Sequence, residues 1–208
     1  MSSLPKAGDF LGHPKGLFLL FGTEMWERFG YYGMRAILVL YLVALVQEGG
    51  FGWSNADALS LYGTFTMAVY ITPLFGGWLA DNVLGQRKAI ILGGLLMAAG
   101  HFTMGIPHSY LAGQEENVFY IGLTLLCVGN GLFKPNISTM VGDLYKEGDQ
   151  RRDGAFTIFY MGINLGGALG PLVAGYAAAA MGWQWGFIVA GVGMVLSVLL
   201  QLALSNKY

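Results

Sequence analysis

Charged residues are scarce in this chain. Of its 208 residues only 11% are charged, whereas 55% are hydrophobic, and an ordinary soluble domain has about 25% charged residues. The formal net charge of -1 arises from segregated clusters of both signs, so the chain lacks the basic surface that nucleic-acid binding requires. The composition predicts an integral membrane protein with the lipid bilayer, and no nucleic acid, among its partners.

Cysteine is nearly absent as well. Cys127 is the single cysteine, which excludes an intrachain disulfide. The histidines His13, His101 and His108 are dispersed and lack the spacing of helical zinc sites. No nucleophile is paired with a base in the sequence, so we expect neither an enzyme nor a metal or organic cofactor. An intramembrane hydrolase stays an alternative only because partners distant in sequence could meet in the fold.

Long apolar runs, by contrast, are abundant. Six of them, bounded by polar turns, are long enough to cross a bilayer: 17–46, 56–81, 89–107, 118–141, 154–180 and 185–204. The 33 glycines agree with this interpretation, because small residues let transmembrane helices pack closely. The sequence predicts an all-α membrane protein in which residues 1–208 form one bundle of six transmembrane helices.

The cations indicate the orientation of this bundle. With these spans, eight of the eleven Lys and Arg residues fall on one side of the membrane: Lys6, Lys15, Arg87, Lys88, Lys146, Arg151, Arg152 and Lys207. The loops on the opposite side carry none. The positive-inside rule therefore predicts that both ends of this chain are cytoplasmic, in a protein of the cytoplasmic (inner) membrane.

The first span contains a charged stripe. Helical spacing places Glu24, Glu27, Arg28, Tyr31 and Arg35 on one face. Together with Lys134 in the fourth span, the charged members would be unfavourable by on the order of 12 kcal/mol if left unpaired in lipid. They are therefore expected to face one another or water, at a functional site.

The charges of this site favour an anionic ligand. Two acids and three bases leave one positive charge unmatched. Protonation of one glutamate would release its cationic partner and add a further positive charge. Proton and anion binding would then reinforce each other, which is the energetic requirement for symport.

Lys134 has no acidic neighbour within eight residues on its own helix. We expect its partner to come from another helix. The alternative is that the side chain extends to the cytoplasmic surface, but Asp143 at that end lies about 13 Å away at 1.5 Å per residue. Pro135, next in sequence, could let the span bend.

Spans two and five share a weak repeat. Tyr70-x5-Gly76-Gly77-x-Leu79 recurs as Tyr160-x5-Gly166-Gly167-x-Leu169. Three spans per repeat would give two halves of opposite topology, as in 3+3 inverted repeats of transporters. The alternative is chance recurrence in a glycine-rich chain.

The segment after span two contains Gly77, Asp81, Gly85, Arg87 and Lys88, with Asp81 at the helix end and Gly85 in a tight turn. This spacing resembles the conserved loop of the major facilitator superfamily. An ordinary cationic membrane anchor is the alternative. The resemblance implies a gating role for this loop.

Four further motifs lie along the chain. The first is Glu24-x-x-Glu27-Arg28-Phe29-x-Tyr31-Tyr32-Gly33; the others are 133–136, 159–166 and the stretch 76–100. Together they resemble one branch of that superfamily, the proton-dependent oligopeptide transporter (POT/PTR) family. Ala168 stands where a larger apolar residue is expected. The resemblance covers essentially the whole chain and implies the N-terminal half of a symporter of di- and tripeptides, with protons as the coupling ion and a complementary C-terminal six-helix bundle as a partner.

The resemblance also implies roles for single residues. Arg28, Arg35 and Lys134 would attract the peptide carboxylate, and Glu24 and Glu27 would couple protons through Arg28 and Lys134. The peptide backbone would be held by Tyr31, Tyr32, Tyr70 and Asn164. The alternatives are a transporter of another anion, such as nitrate or a carboxylate, and a transport-incompetent half that is a structural or regulatory partner.

Overall fold

The structure is a computed structural model that describes residues 9–204. Lys6 and Lys207, two of the cations used to orient the chain, lie outside these residues. Six long α-helices follow one another in the described part: α1 (Lys15–Val43), α2 (Asn55–Leu79), α3 (Gln86–Met104), α4 (Glu115–Asp143), α5 (Arg151–Met181) and α6 (Trp183–Leu204). Short 3-10 turns lie at Val46–Glu48 and His108–Tyr110.

The helix ends lie within three residues of the predicted spans, and two of the differences have a local structural cause. Helix α1 ends at Val43 rather than at residue 46, because the chain turns at Gly49 in a left-handed conformation and folds back. The Phe51 amide then donates to the Tyr41 carbonyl. Helix α2 passes into a π-helical turn, Ala80–Leu84. Asp81 therefore lies inside this turn and does not close the helix, which ends one turn later at Gly85.

Four segments are long and apolar enough to cross a membrane by themselves: Asn55–Leu84, Glu115–Asp143, Arg151–Met181 and Trp183–Ala203. Helices α1 and α3 do not reach that criterion. Helix α1 is interrupted by its charged stripe, and α3 is short and begins with Gln86-Arg87-Lys88. Membrane crossing by these two helices would require burial of their polar residues inside the bundle.

Helices α1 and α4 are the central elements of the packing. Helix α1 packs against α5 and α6, α4 packs against α2 and α3, and α3 contacts α6 across the bundle. Each of the two central helices thus packs against two helices from the other half of the chain. Helices α2 and α5 retain wide exposed apolar surfaces, with Leu74, Phe75 and Trp78 on α2 and Leu172 on α5 more than 60% exposed.

Glycines allow the close helix approaches. A methyl group at Gly76 of α2 would overlap the carbonyl oxygen of Gly131 on α4, and one at Gly166 of α5 would overlap that of Met25 on α1. Glycine is required at both positions because the backbones are in direct contact. These contacts fix α2 against α4 and α5 against α1, which places the charged stripe of α1 beside α4.

The start of α1 and the end of α4 are tied together. The Tyr145 hydroxyl lies 2.8 Å from Nδ1 of His13. Burial raises the pKa of Tyr145 to about 12, so the hydroxyl stays protonated and forms a hydrogen bond with the histidine ring. Arg151 adds an ion pair with Asp9 at 3.0 Å. The segment before α1 is thereby held against the segment after α4.

Candidate functional site

Arg28 lies between the two carboxylates of the first-helix motif. Its Nε is 3.1 Å from Oε1 of Glu24, and its Nη2 donates to Oε1 of Glu27 at 2.8 Å. A second bond joins Arg28 Nε to Glu27. Glu24 and Arg28 are 3% exposed and Glu27 is 0% exposed. One guanidinium thus neutralises only part of two buried carboxylates.

Aromatic rings cover the guanidinium. Its Cζ lies 5.1 Å from the ring centre of Tyr31 and 5.9 Å from that of Tyr32. Gly167 of α5 packs against the ring of Tyr32. The two rings hold Arg28 in place through cation–π contacts and separate it from the apolar surroundings.

Lys134 faces the same cluster from α4. Its Nζ forms no ion pair within 4.0 Å with any of residues 9–204. Its Nζ lies 5.3 Å from the ring centre of Tyr70 on α2, and its charge interacts with Arg28, Glu27 and Glu24 through space. The acidic residues that were expected as partners from another helix, Glu24 and Glu27, thus interact with Lys134 only at longer range. Its short-range contact is with the ring of Tyr70. Lys134 is half-buried, so its charge is available to a ligand.

Arg35 is separate from the carboxylates. It donates a hydrogen bond to the Tyr62 hydroxyl, and its Cζ lies 5.1 Å from the ring centre of that tyrosine. Tyr31 and Tyr70 lie close enough to interact with its charge. The structure thus places Arg35 towards the C-terminal end of the charged stripe, where α2 rather than Glu24 or Glu27 supports it.

Two predicted contact residues lie on open surfaces. Tyr70 is 65% exposed despite its contact with Lys134. Asn164 is exposed on α5, and within the described residues no hydrogen bond joins it to the other site residues. Asn164 lies three residues before Gly167, which packs against Tyr32. It is near the aromatic end of the cluster without belonging to its hydrogen-bond network.

The loop after α2 has the turn that its glycine predicts. Gly85 has a φ of 76°, in the left-handed region. Gly77 faces Pro135 of α4, and Asp81 and Lys88 are exposed. Together with Met140 of α4, the loop lines a shallow cavity of about 530 Å³ that includes Arg87. The gating role of these residues stays a prediction.

Two residues beside the cluster escaped the sequence analysis. Tyr62 lies eight residues before Tyr70 on the same helix, and that spacing was the available signal. Asn130 is buried one turn before Lys134. A polar residue at this position of an apolar span was the signal for it.

Comparison with known proteins identifies relatives over the whole chain. The sequence profile of the POT family matches residues 87–208. The peptide transporter YePEPT of Yersinia enterocolitica is 45% identical over 199 residues, which are 96% of this chain and 38% of that protein. A di-/tripeptide transporter of Lactococcus lactis is 42% identical over 191 residues, 91% of this chain and 37% of that protein.

A solved structure extends this similarity to three dimensions. The crystal structure of the peptide transporter POT in complex with sulfate superposes with a TM-score of 0.91 at 47% identity, over 99% of this chain and 40% of that one. The chain thus spans about two-fifths of the length of the proteins it matches. These proteins are named as transporters, in agreement with the non-enzymatic interpretation.

Proposed function

Because the chain belongs to the POT family, we propose that it is the N-terminal six-helix half of a proton-coupled symporter of di- and tripeptides. The names of the relatives and the size of the match support this proposal, because both relatives are peptide transporters more than twice as long as this chain. The proposal includes a complementary C-terminal six-helix bundle, the cytoplasmic (inner) membrane as location, and cytoplasmic ends for this chain.

One observation carries the coupling mechanism: Arg28 is held between Glu24 and Glu27 in a buried site. Protonation of either carboxylate removes one of the attractions that hold the guanidinium. The freed positive charge of Arg28 then strengthens binding of an anion, and a bound anion in turn stabilises the protonated state. This reciprocity couples proton and substrate.

The peptide would bind on the open side of this cluster. Lys134 and Arg35 are the partly exposed cations, and we assign them the peptide carboxylate. Tyr31, Tyr32, Tyr70 and Asn164 would contact the peptide backbone. Among the described residues of this cluster, no acidic side chain is left to bind the peptide amino group, because Glu24 and Glu27 are buried against Arg28. That role falls to the complementary bundle.

The packing supports an inverted repeat of two triplets, α1–α3 and α4–α6. Helix α1 packs on α5 and α6, and α4 packs on α2 and α3. Exchanging the two triplets exchanges these contacts. Gly76 and Gly166, at equivalent places in the repeat, make equivalent close approaches to the opposite triplet. A repeat of this kind rocks against a second bundle around a central site.

The test uses the complete transporter that contains this chain, reconstituted in proteoliposomes. An inward proton gradient should drive accumulation of a labelled dipeptide. Glu27→Gln should abolish accumulation while retaining exchange of peptide down its own gradient, because the glutamine cannot be protonated but keeps the shape of the side chain. Glu48→Gln, in an exposed outer turn, is the matched control and should accumulate peptide like the parent. Parent-like accumulation by Glu27→Gln would rule out the coupling role.

A further inference from the structure

Asn130 is a buried carboxamide without a hydrogen-bond partner. Its side chain is 1% exposed, and within residues 9–204 neither its Oδ1 nor its Nδ2 is bonded. An unpaired buried polar group is unfavourable by about 1–3 kcal/mol, and this side chain contains both a donor and an acceptor. Such groups in native proteins are usually bonded to a partner, often to a buried water molecule.

Asn130 lies at the level of Arg28. The hydrogen bond between His13 and Tyr145 sets the ends of α1 and α4 side by side, since His13 is two residues before α1 and Tyr145 two residues after α4. Arg28 is thirteen residues from the start of α1, and Asn130 is thirteen residues from the end of α4. Both are therefore roughly 20 Å from the cytoplasmic ends of their helices. Glu24 and Lys134 form a second such level, because each lies nine residues from that end of its helix.

The residues around Asn130 show that it points to the bundle interior. Gly129 packs against Gly93 on α3, and Gly131 packs against Thr72 on α2. Successive residues of a helix are about 100° apart, so Asn130 projects between these two contacts. Its burial places it on the inner face of α4. Lys134 follows one turn later on the same face and interacts with the charges of α1.

A second unpaired atom lies one helical turn closer to the cytoplasmic ends, at the level of Lys134. Oε1 of Glu24 is bound to Arg28, whereas Oε2 is buried and has no hydrogen-bond partner among the described residues. A water molecule in a protein interior needs two to four polar partners. Glu24 Oε2, the Asn130 amide and Lys134 Nζ provide such a set between α1 and α4.

We propose that Asn130 is a positioning residue that holds a buried water molecule against the Glu24 carboxylate, within the coupling site. The water donates a hydrogen bond to Oε2 and is itself held by the Asn130 amide. It stabilises the ionised carboxylate and provides the contact through which a proton can reach it. This inference rests on the proposed proton coupling and assigns one residue within it.

The other charged and titratable groups that face Glu24 are few. They are Glu27 and Arg28 on α1 and Lys134 on α4, with Tyr70 of α2 against Lys134. His101 of α3 lies behind Gly30. Helix α5 is charged only in its first turn, and α6 has no charged residue. A change at Asn130 therefore acts on Glu24 without altering any of these charges.

The experiment measures dipeptide uptake against pH by the complete transporter in proteoliposomes. Asn130→Leu is nearly equal in shape but cannot hold the water, so the carboxylate loses a hydrogen bond and retains its proton to higher pH. The pH of half-maximal uptake should rise by about one unit, a tenfold change in proton affinity. Asn130→Ser keeps a hydroxyl and leaves room for water, and should restore the parental midpoint.

The matched control is Asn136→Leu. Asn136 is also a buried asparagine of α4, but its Nδ2 donates to the Leu132 carbonyl at 2.6 Å. Its replacement should lower stability without moving the pH midpoint. If Asn130→Leu does not fold, Asn130→Ala and Asn130→Ser, which are nearly equal in volume, provide the same comparison.

The outcomes separate the two proposals. A parental pH profile for Asn130→Leu, or for Asn130→Ala if it replaces the leucine variant, would overturn the water site. The same shift in the serine variant would also overturn it, because volume and not polarity would then be the cause. A parent whose uptake does not respond to a proton gradient would instead contradict the proposed function.

Discussion

At the scale of single residues, the charges of the site form two groups: a buried group whose charges pair with one another, and a partly exposed group of unpaired cations. Arg28 uses its guanidinium nitrogens on Glu24 and Glu27. Within residues 9–204, Lys134 and Arg35 contact tyrosines at short range, Tyr70 and Tyr62 respectively, and form no ion pair. The first group binds its charges internally, whereas the second retains unpaired positive charge. This division is the physical basis for the separate coupling and binding roles that we propose.

The unpaired charges of Lys134 and Arg35 predict that the transporter prefers peptides with a free terminal carboxylate. Lys134→Ala should weaken binding of a dipeptide by about tenfold, since a hydrogen bond to a charged group contributes about 1.5–3 kcal/mol. Amidation of the peptide carboxylate should weaken binding to the parent and have little further effect in Lys134→Ala. Competition binding by the complete transporter measures both changes.

Lys146→Ala is the control for this prediction, because Lys146 is exposed in the segment between α4 and α5. It should discriminate between free and amidated peptide like the parent. Full discrimination in both Lys134→Ala and Arg35→Ala would place carboxylate recognition on other residues.

At the scale of elements, glycine contacts determine how closely helices approach. Gly166 of α5 lies against the α1 backbone at Met25, and its added methyl group would also contact Cβ of Arg28 at 3.1 Å. Substitution at this contact therefore has two effects. It separates α5 from α1, and it displaces the residue that holds the two carboxylates.

Gly166→Ala should accordingly reduce stability by about 1–3 kcal/mol, the range for overpacked sites. Thermal unfolding of the complete transporter in detergent measures the change. Gly175→Ala on the same helix is the control: nothing lies within 4 Å of its added methyl group, and alanine favours helix over glycine. Equal melting temperatures for the two variants would show that the α1–α5 contact is not tight.

The same contacts give a physical reason why the repeat that we propose is only a weak pattern in the sequence. Gly76 and Gly166 recur because each meets the backbone of a central helix. The surrounding residues differ because Gly76 approaches Gly131 on α4, whereas Gly166 approaches Met25 on α1. Only small residues at the contact points need to recur, so the rest of the repeat can diverge.

At the scale of the whole molecule, the described residues leave one mixed surface open. Exposed apolar residues on α2 and α5, including Phe75 and Leu172, flank this open face with Tyr70 and Asn164. In a bilayer this mixed surface would meet lipid or another protein. In the transporter that we propose, a second bundle covers this surface and completes the substrate cavity.

We therefore expect residues 1–208 alone to insert with six spans and not to transport. Proteoliposomes that contain this segment alone should show no saturable, proton-driven uptake of a dipeptide. Co-expression with a complementary six-helix half is the positive control and should restore uptake. Saturable uptake by the segment alone would require a homodimeric pore and would contradict the half-transporter proposal.

The sequence by itself determined the class of protein, the approximate helices and the charged stripe of α1. These are local properties: hydropathy over some twenty residues predicts a span, and a spacing of three or four residues places Glu24, Glu27 and Arg28 on one face. The family resemblance depended on such short motifs, and comparison with known proteins confirmed it.

Only the tertiary structure decided which side chains meet between helices. Lys134 lies against Tyr70, Arg35 pairs with Tyr62, and Asn130 is level with Arg28. Each result depends on how far one helix is shifted along another, which the glycine contacts and the end-to-end hydrogen bond of His13 set. Helical periodicity specifies the face of a residue but not its height relative to a neighbouring helix, and that height determines the chemistry of the site.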